Sequence, residues 1–285
     1  MTTAGAFTVA SGRLGLSRNE LVVLAEEVGA DRVRGLDGSG LLHIGVDVDA
    51  ARRSLGQRAL GPAHADLLGS EAAWVRRALR ALLVATPGDR ALLALRHGTR
   101  GLRATLAGAG GSAACAVSTT FDQPVSFGPV TTVADRGFLV EDLDPALLAL
   151  RAWTTLGLGP VDSVEPMAEA AAGPTVVRVP RSALAPGPAG DGSSLAAALT
   201  RAGLGPQDAA NLAADLREGS MELTRATSWW RDGPSEHLSA TTWLAGRTDR
   251  WLVHDDRDPA TITLGPVSSL ELARVVRAQH GAVLG

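Results

Sequence analysis

The spacing of hydrophobic residues alternates along the chain between a helical and a strand-like period. Between residues 17 and 28 apolar positions recur three and four apart, and Ser17 with Glu20 forms the capping box that starts a helix. Asp49 is the predicted N-cap of the next helix. In all, the helical spacing predicts further helices over residues 49–60, 70–85, 144–156, 194–202, 206–217 and 268–280.

Between these helices the hydrophobic period drops to two, which is typical of strands with one buried face. Short alternating runs are separated by turn-forming residues such as Gly108-Ala109-Gly110-Gly111. Turn signals at this spacing predict antiparallel meanders. The predicted strands are residues 41–48, 91–96, 101–107, 113–119, 125–132, 175–179, 221–227, 238–244, 250–254 and 261–264.

The order of predicted elements, helices followed by a meander, occurs twice. Val125–Thr132 aligns with Ile262–Ser269 as aliphatic, hydroxyl, apolar, Gly, Pro, Val, hydroxyl, hydroxyl. In both segments the Gly-Pro step is expected to end a strand, because proline cannot donate to the ladder. We therefore predict an α+β fold of two quasi-repeated halves, residues 1–140 and 141–285, with a central antiparallel sheet flanked by helical bundles in a pseudo-twofold arrangement. The alternative is chance similarity in a chain rich in Ala, Gly and Val.

The composition excludes several kinds of chemistry. All 27 basic residues are arginine, so the chain lacks the lysine of a phosphate-binding loop, a Schiff base or a Ser-x-x-Lys site. The net charge of −3 argues against non-specific nucleic-acid binding. No apolar run reaches the roughly 18 residues of a membrane span, and no signal-peptide pattern is present. We expect a cytoplasmic protein without membrane insertion.

The densest polar cluster is His254-Asp255-Asp256-Arg257-Asp258. An imidazole with carboxylates suits a divalent ion or acid–base chemistry, but the spacing is not that of a calcium loop. We interpret the cluster as a solvated turn and keep an enzyme that uses His254 with Asp255 or Asp256 as an alternative. Cys115 lies in an apolar run and is expected to be a buried core residue. No catalytic, cofactor or metal residue is predicted.

Adjacent tryptophans at 229 and 230 are the candidates for partner binding. Neighbours on a strand point to opposite faces, so both indoles are buried only if both faces of the sheet are covered. Trp and Arg are enriched in interface hot spots, and Arg231 follows directly. Trp243 lies one predicted strand further on. We predict Trp229, Trp230, Arg231 and Trp243 as partner-binding residues; the alternative is that both adjacent indoles pack inside the molecule.

Three segments, together with the two-halved order, resemble the EspG proteins, which are cytosolic chaperones of actinobacterial ESX (type VII) secretion systems. These segments are Leu16–Gly29, Ala72–Gly101 and Ala245–Val267. The resemblance implies a non-enzymatic protein that binds the hydrophobic helical tip of a PE–PPE-like substrate pair, keeps it soluble and delivers it for secretion. It implies no cofactor, and the client is a PE–PPE-like pair or another small helical ESX substrate. A homodimer is compatible with this interpretation, and a client-free structural dimer built through free sheet edges is a further alternative.

Overall fold

The structure is a computed structural model dominated by one ten-stranded sheet with helices on both faces. It describes residues 13–28, 46–64, 66–67, 71–81, 88–97, 100–109, 112–121, 137–161, 176–180, 192–218, 220–247, 249–255, 258 and 260–285. The strands are β1 Arg13–Ser17, β2 Arg90–His97, β3 Arg100–Ala109, β4 Ser112–Phe121, β5 Gly137–Leu143, β6 Val177–Pro180, β7 Glu222–Asp232, β8 Ser235–Ala245, β9 Arg250–Asp255 and β10 Thr261–Val267. The described α-helices are α1 Arg18–Glu27, α2 Val48–Gln57, α3 Glu71–Ala81, α4 Leu148–Leu156, α5 Gly192–Arg201, α6 Pro206–Arg217 and α7 Ser269–Leu284, with 3-10 turns at Pro62–His64 and Pro145–Leu147.

The sheet is antiparallel throughout, in the order β1-β5-β4-β3-β2-β7-β8-β9-β10-β6. On each side of the β2–β7 junction, four consecutive strands form a meander: β2 to β5 on one side and β7 to β10 on the other. A fifth strand, which precedes its meander in the sequence, forms the outer edge: β1 beside β5 and β6 beside β10. The predicted α+β class with a central antiparallel sheet is therefore confirmed. The residue-level repeat stays a prediction, because Val125–Thr132 lies outside the described residues. The division between residues 140 and 141 also stays a prediction; both positions lie within β5.

The two halves of the sheet meet along β2 and β7, which pair from Arg90 opposite Trp230 to His97 opposite Leu223. An ion pair reinforces this junction: the Arg96 guanidinium donates to both carboxylate oxygens of Glu222, at 2.8 and 3.0 Å. A two-point arginine–carboxylate bond fixes orientation as well as distance. The junction is thus part of one continuous ladder and not a hinge between separate sheets.

Helix starts follow the capping chemistry of the sequence. The capping box before α1 is confirmed: the Glu20 amide donates to Ser17 Oγ at 3.2 Å, and the Ser17 amide donates to Glu20 Oε2 at 2.8 Å. Helix α7 begins with the same box at Ser268. The predicted N-cap Asp49 is wrong, because the Asp47 carboxylate accepts the capping bond from the Ala50 amide at 2.9 Å. This earlier start places Asp49 inside the first turn.

Two strand predictions need correction, and two strands were missed. Of the predicted strand 41–48, only the end is described, and Val48 is the first residue of α2. Strands β1 and β5 were not predicted. The Gly-Pro step at Pro266 does not end its strand, because β10 continues to Val267. Strand β6 pairs only with Thr261–Leu264, so no strand lies beside Pro266 on that edge of β10. The missing N–H of proline therefore removes no ladder bond to β6.

Three hydrophobic clusters attach the helices to the two faces of the sheet. We call the face with Ala91, Trp229 and Leu244 the front face. Helices α1–α3 cover its β1–β5 side, and α5 and α6 cover its β9–β6 side. Helices α4 and α7 cover the centre of the opposite face, the back face, where Cys115 is buried as predicted. In the described part of the chain, no helix has the length and apolar character that crossing a bilayer requires.

Candidate protein-binding surface

Strand β7 crosses the middle of the sheet with very different surroundings on its two faces. Successive side chains alternate between the faces. On the back face Thr224, Ala226 and Ser228 are all fully buried beneath the helices. On the front face Arg225 is exposed, and Thr227 and Trp229 are half-buried. The sheet is thus closed on one side of β7 and accessible on the other.

The accessible front-face side chains of β7 continue onto both neighbouring strands. Pairing places Leu93 opposite Thr227 on β2, and Leu238 opposite Trp229 on β8. Leu238 is 64% exposed. We define the open strip as the eight accessible front-face residues Leu93, Leu95, Arg225, Thr227, Trp229, Leu238, Ala240 and Thr242.

The open strip lies between two covered regions of the front face. On one side Ala91 is fully buried in the cluster formed by α1–α3. On the other side Leu244 and Trp251 are fully buried beneath α5 and α6. The strip is three strands wide, and strands lie about 4.8 Å apart, so its outer strands are separated by about 10 Å. That width matches the roughly 10–12 Å diameter of one α-helix.

A single charge stands among these mostly apolar and hydroxyl side chains. Arg225 is the only charged residue of the open strip, and its side chain is exposed. Within the described residues the Arg225 guanidinium has no ion-pair or hydrogen-bond partner. An apolar surface with one available guanidinium is suited to a partner that presents apolar side chains around a carboxylate or free carbonyl groups.

Behind the open strip, the back face contains a buried polar network centred on His280. The Ser228 Oγ lies 2.7 Å from His280 Nδ1, and the Thr241 Oγ1 lies 2.9 Å from Nε2. Thr241 donates its own proton to Gln279 Oε1. Thr241 must therefore accept from Nε2–H, and Ser228 must donate to Nδ1. This assigns the neutral Nε2–H tautomer.

A serine at hydrogen-bond distance from a histidine also occurs in activated nucleophiles. Here both Ser228 and His280 are fully buried, so no substrate reaches the pair. Burial lowers the pKa of His280 to about 4. The network therefore serves to satisfy polar groups under α7, and sequence reasoning missed it because nothing in the local pattern links residue 280 to strands β7 and β8.

The structure separates the four predicted partner-binding residues. Trp229 lies on the open strip, and Arg231, two residues further along β7, is at a position of the same face. The Arg231 backbone N–H donates to Asp89 O at 3.1 Å. Trp230 lies on the back face, half-buried, and stacks on His237 with ring centroids 5.2 Å apart. Trp243 is only 1% exposed in the back-face core and offers no surface. A partner-binding role for these residues stays a prediction.

The polar cluster 254–258 is only partly described, and its first two residues, His254 and Asp255, belong to strand β9 and not to a turn. Three hydrogen bonds, from Thr261 Oγ1, the Ala260 amide and Arg178, lower the pKa of Asp258 to about 2. His254 is a neighbour of Gly265, and burial lowers its pKa. The side chain of Asp255 and all of Asp256 lie outside the described residues. In the described ranges, no three His, Cys, Asp or Glu side chains are placed to hold a metal ion.

Leu238 is the main strip residue that sequence reasoning missed. A signal was present in the chain: Gly233 and Pro234 form a two-residue turn, with Gly233 at φ +58°. Such a turn fixes the register of a hairpin. Counting back from it places Leu238 opposite Trp229 on one face.

Comparisons with known proteins give a fold but no family. No family model matches the chain, and no curated protein matches it. Among solved structures it is similar to the Mycobacterium tuberculosis type VII secretion system chaperone EspG5, determined in complex with the PE25–PPE41 dimer. The likeness has a TM-score of 0.53 at 14% sequence identity and covers 96% of this chain and 97% of that chain. The resemblance found in the sequence thus extends to architecture, and the fold of this chain is EspG-like.

Proposed function

We propose that this protein is a chaperone that holds a helical protein client on the open strip, and that it is not an enzyme. The observation that carries the proposal is a gap one helix wide between two helical layers, lined by accessible apolar side chains. Support comes from the EspG-like fold, since EspG5 is a secretion chaperone whose structure contains a PE25–PPE41 dimer.

In this proposal the client lays an apolar helical tip into the strip and completes the helical layer of the front face. Trp229 and Leu238 supply apolar contact area, and fully burying a large apolar side chain contributes roughly 1.5–3 kcal/mol. Covering the tip keeps an otherwise aggregation-prone surface out of water. The client is a PE–PPE-like pair or another small helical substrate, and the setting is the cytoplasmic side of a type VII (ESX) system.

Arg225 gives the strip a polar anchor in this arrangement. A guanidinium binds a client carboxylate, or the free carbonyls where a client helix ends, since a helix C-terminus carries partial negative charge. Because Arg225 is the only charge within the strip, it would fix how far the helical tip can slide along the surface. The apolar contacts then supply affinity and the guanidinium supplies register.

Co-expression with candidate helical pairs, followed by co-purification, tests the proposal. We expect one pair to co-purify with the wild-type protein. Trp229→Ala should weaken the purified complex at least tenfold, because it removes the largest apolar side chain of the strip. The matched control is Leu270→Ala, which truncates a residue that is 52% exposed on α7, away from the strip.

Two outcomes would contradict the proposal. One is that no helical pair binds while the protein turns over a small molecule, which would favour the enzyme alternative. The other is that Trp229→Ala and Leu270→Ala weaken a bound client equally, which would move the binding surface away from the strip.

A further inference from the structure

The open strip is closed at one end and open at the other. Beyond Arg225 the next front-face residue of β7 is Leu223, which is 9% exposed, and beyond Thr242 the next on β8 is Leu244, which is fully buried. Both leucines belong to the cluster beneath α5 and α6. At the other end Leu238 is 64% exposed, and the strip leads to the exposed turn of the hairpin. We call the end at Arg225 the closed end and the end at Leu238 the open end.

The length of the strip along the strands sets the length of the helical segment that it can hold. Arg225 and Trp229 are four residues apart on β7, which at roughly 3.4 Å per residue places their Cα atoms about 14 Å apart. An α-helix rises by about 1.5 Å per residue, so about nine residues span this distance. The strip therefore fits the end of a helix and not the whole of a long one.

The side chains of the strip change in size between its two ends. Trp229 and Leu238 lie opposite each other at the open end. Next along the strands come Thr227 and Ala240, which are also opposite each other and are smaller, before Arg225 at the closed end. The smaller pair leaves depth above the sheet that a bulky apolar side chain of a client helix can fill. The larger pair then packs against the preceding turn of that helix.

Arg225 determines which end of a helix suits the closed end. The C-terminus of a helix carries roughly half a negative charge, and its last carbonyl groups lack intrahelical partners. The N-terminus carries the opposite charge and offers only N–H donors, which a guanidinium cannot bond because it is itself a donor. Among the described residues the Arg225 side chain has no hydrogen-bond or ion-pair partner, so it is available to accept a helix C-terminus.

We propose that the client helix enters the open strip from the open end with its C-terminal end leading, so that it runs antiparallel to β7 and its last carbonyl groups reach Arg225. This inference rests on the proposed function and adds the direction of the bound helix. For a client whose tip is a helical hairpin, the first helix is the one that occupies the strip. The reason is that the first helix ends at the tip, whereas the second begins there.

Calorimetric titration with two helical peptides of equal net charge tests the direction. Both are stapled amphipathic helices of about twelve residues with one apolar sequence, long enough to span the strip. One has an acetylated N-terminus and a free C-terminal carboxylate, and the other has a succinylated N-terminus and a C-terminal amide. The staple keeps both helical, so the position of the charge affects binding and not helix formation.

We expect the peptide with the C-terminal carboxylate to bind the wild-type protein about tenfold more tightly than the succinylated one. In Arg225→Gln this preference should disappear, whereas Trp229→Ala should weaken both peptides and keep the preference. The matched control Leu270→Ala, on α7, should bind both as the wild type does.

The outcomes separate the direction from the proposed function. If the succinylated peptide binds more tightly, or the two bind equally, while Trp229→Ala weakens both, the direction is wrong and the proposed function stands. If both peptides bind but Trp229→Ala has no effect, the strip is not the binding surface and both proposals are wrong. If neither peptide binds, the direction is abandoned, and co-purification of a helical pair still decides the proposed function.

Disulfide trapping locates the two ends of the bound peptide by a second measurement. The chain has one cysteine, Cys115, which is buried. Leu238→Cys and Thr242→Cys each place a thiol on the front face of β8, at the open end and near the closed end. A cysteine in the first turn of the carboxylate peptide should link to Leu238→Cys about tenfold faster than to Thr242→Cys, because only the former brings the two Cα atoms within disulfide reach.

A cysteine in the last turn of the same peptide should show the reverse order. This reciprocal pattern corrects for the difference in exposure between the two positions on β8. The opposite pattern, or rates that do not depend on where the peptide cysteine lies, would overturn the proposed direction.

Discussion

The two faces of strand β7 differ in how far their side chains are accessible to solvent. On the back face Ser228 is fully buried and hydrogen-bonded to His280 beneath α7. One residue away, Thr227 is accessible on the front face. The same backbone therefore supports a closed core on one side and an open surface on the other. Substitutions at adjacent positions should therefore affect different properties: stability on the back face and, in the proposed function, client binding on the front face.

The largest effect should come from exchanging tryptophans on the two faces for alanine. Trp243, on the back face, is 1% exposed, and its removal leaves a large cavity. We expect Trp243→Ala to lower the free energy of unfolding by about 3–5 kcal/mol. Trp229 is half-buried on the front face, so Trp229→Ala should lower the free energy of unfolding by about half as much or less. Urea unfolding followed by circular dichroism measures both, and equal losses would contradict the difference between the faces.

The next effect concerns pH and the histidine of the back face. Burial holds the pKa of His280 near 4 in the folded protein, below its ordinary value of 6.5. As pH falls below 6.5 the unfolded chain takes up the proton first, so the free energy of unfolding falls between about pH 6.5 and 4. The full loss is on the order of 3 kcal/mol, and it levels off below pH 4.

His280→Gln removes this titration and isolates the effect. Carboxylates such as Glu20, Glu271 and Asp258, whose pKa values are lowered by their hydrogen bonds, titrate in both proteins and cancel in the difference. Between pH 7 and 4 the free energy of unfolding, measured in urea, should fall by about 3 kcal/mol more for the wild type than for the variant. Parallel pH profiles would show that His280 is accessible to protons in the folded state.

A smaller effect distinguishes two neighbouring threonines on β8. Thr241 points to the back face and bonds both His280 and Gln279, whereas Thr242 points to the open strip. Thr241→Val leaves the Nε2–H of His280 without an acceptor, so it should lower the free energy of unfolding by about 1–3 kcal/mol. Thr242→Val should change stability by less than about 0.5 kcal/mol. Paired thermal and urea unfolding of the two variants tests this, and a reversed order would mean that the faces are assigned wrongly.

The smallest effect on folding is expected at Arg225. The side chain is exposed and has no ion pair among the described residues, so Arg225→Gln should leave the free energy of unfolding within about 0.5 kcal/mol. Binding should respond instead: loss of one charge-assisted contact weakens a client complex roughly tenfold, or about 1.4 kcal/mol. Arg225→Lys should retain part of that affinity. Calorimetric titration measures it, and unchanged affinity in Arg225→Gln would exclude the guanidinium from the contact.

Local chemistry made much of the fold predictable. The box at Ser17 and Glu20 and the helix Pro206–Arg217 follow from side chains within a few residues of each other. Strands β1 and β5 were missed because their pairing is non-local: Arg13–Ser17 pairs with Gly137–Leu143, far along the chain. The continuation of β10 through Pro266 depends on where β6 ends, which no local pattern records.

The candidate site was predictable only in part for the same reason. Alternation correctly required Trp229 and Trp230 to lie on opposite faces. Which face is open depends on where distant helices pack, and α7 covers the back face from the far end of the described chain. Trp243 was therefore expected near a partner surface but is buried under that helix. Arg225 carried no signal as a single arginine among 27 basic residues.

The packing of α7 on the back face sets a constraint on how the protein is made. Leu92 of β2 belongs to the same buried cluster as Val276 of α7, yet the whole second meander is translated between them. At typical ribosomal speeds the central strands wait roughly 10–30 seconds for the helix that finally covers them. A nascent chain with an uncovered sheet is vulnerable to aggregation throughout that interval. A protein proposed to shield another polypeptide thus needs shielding itself while it is being synthesised.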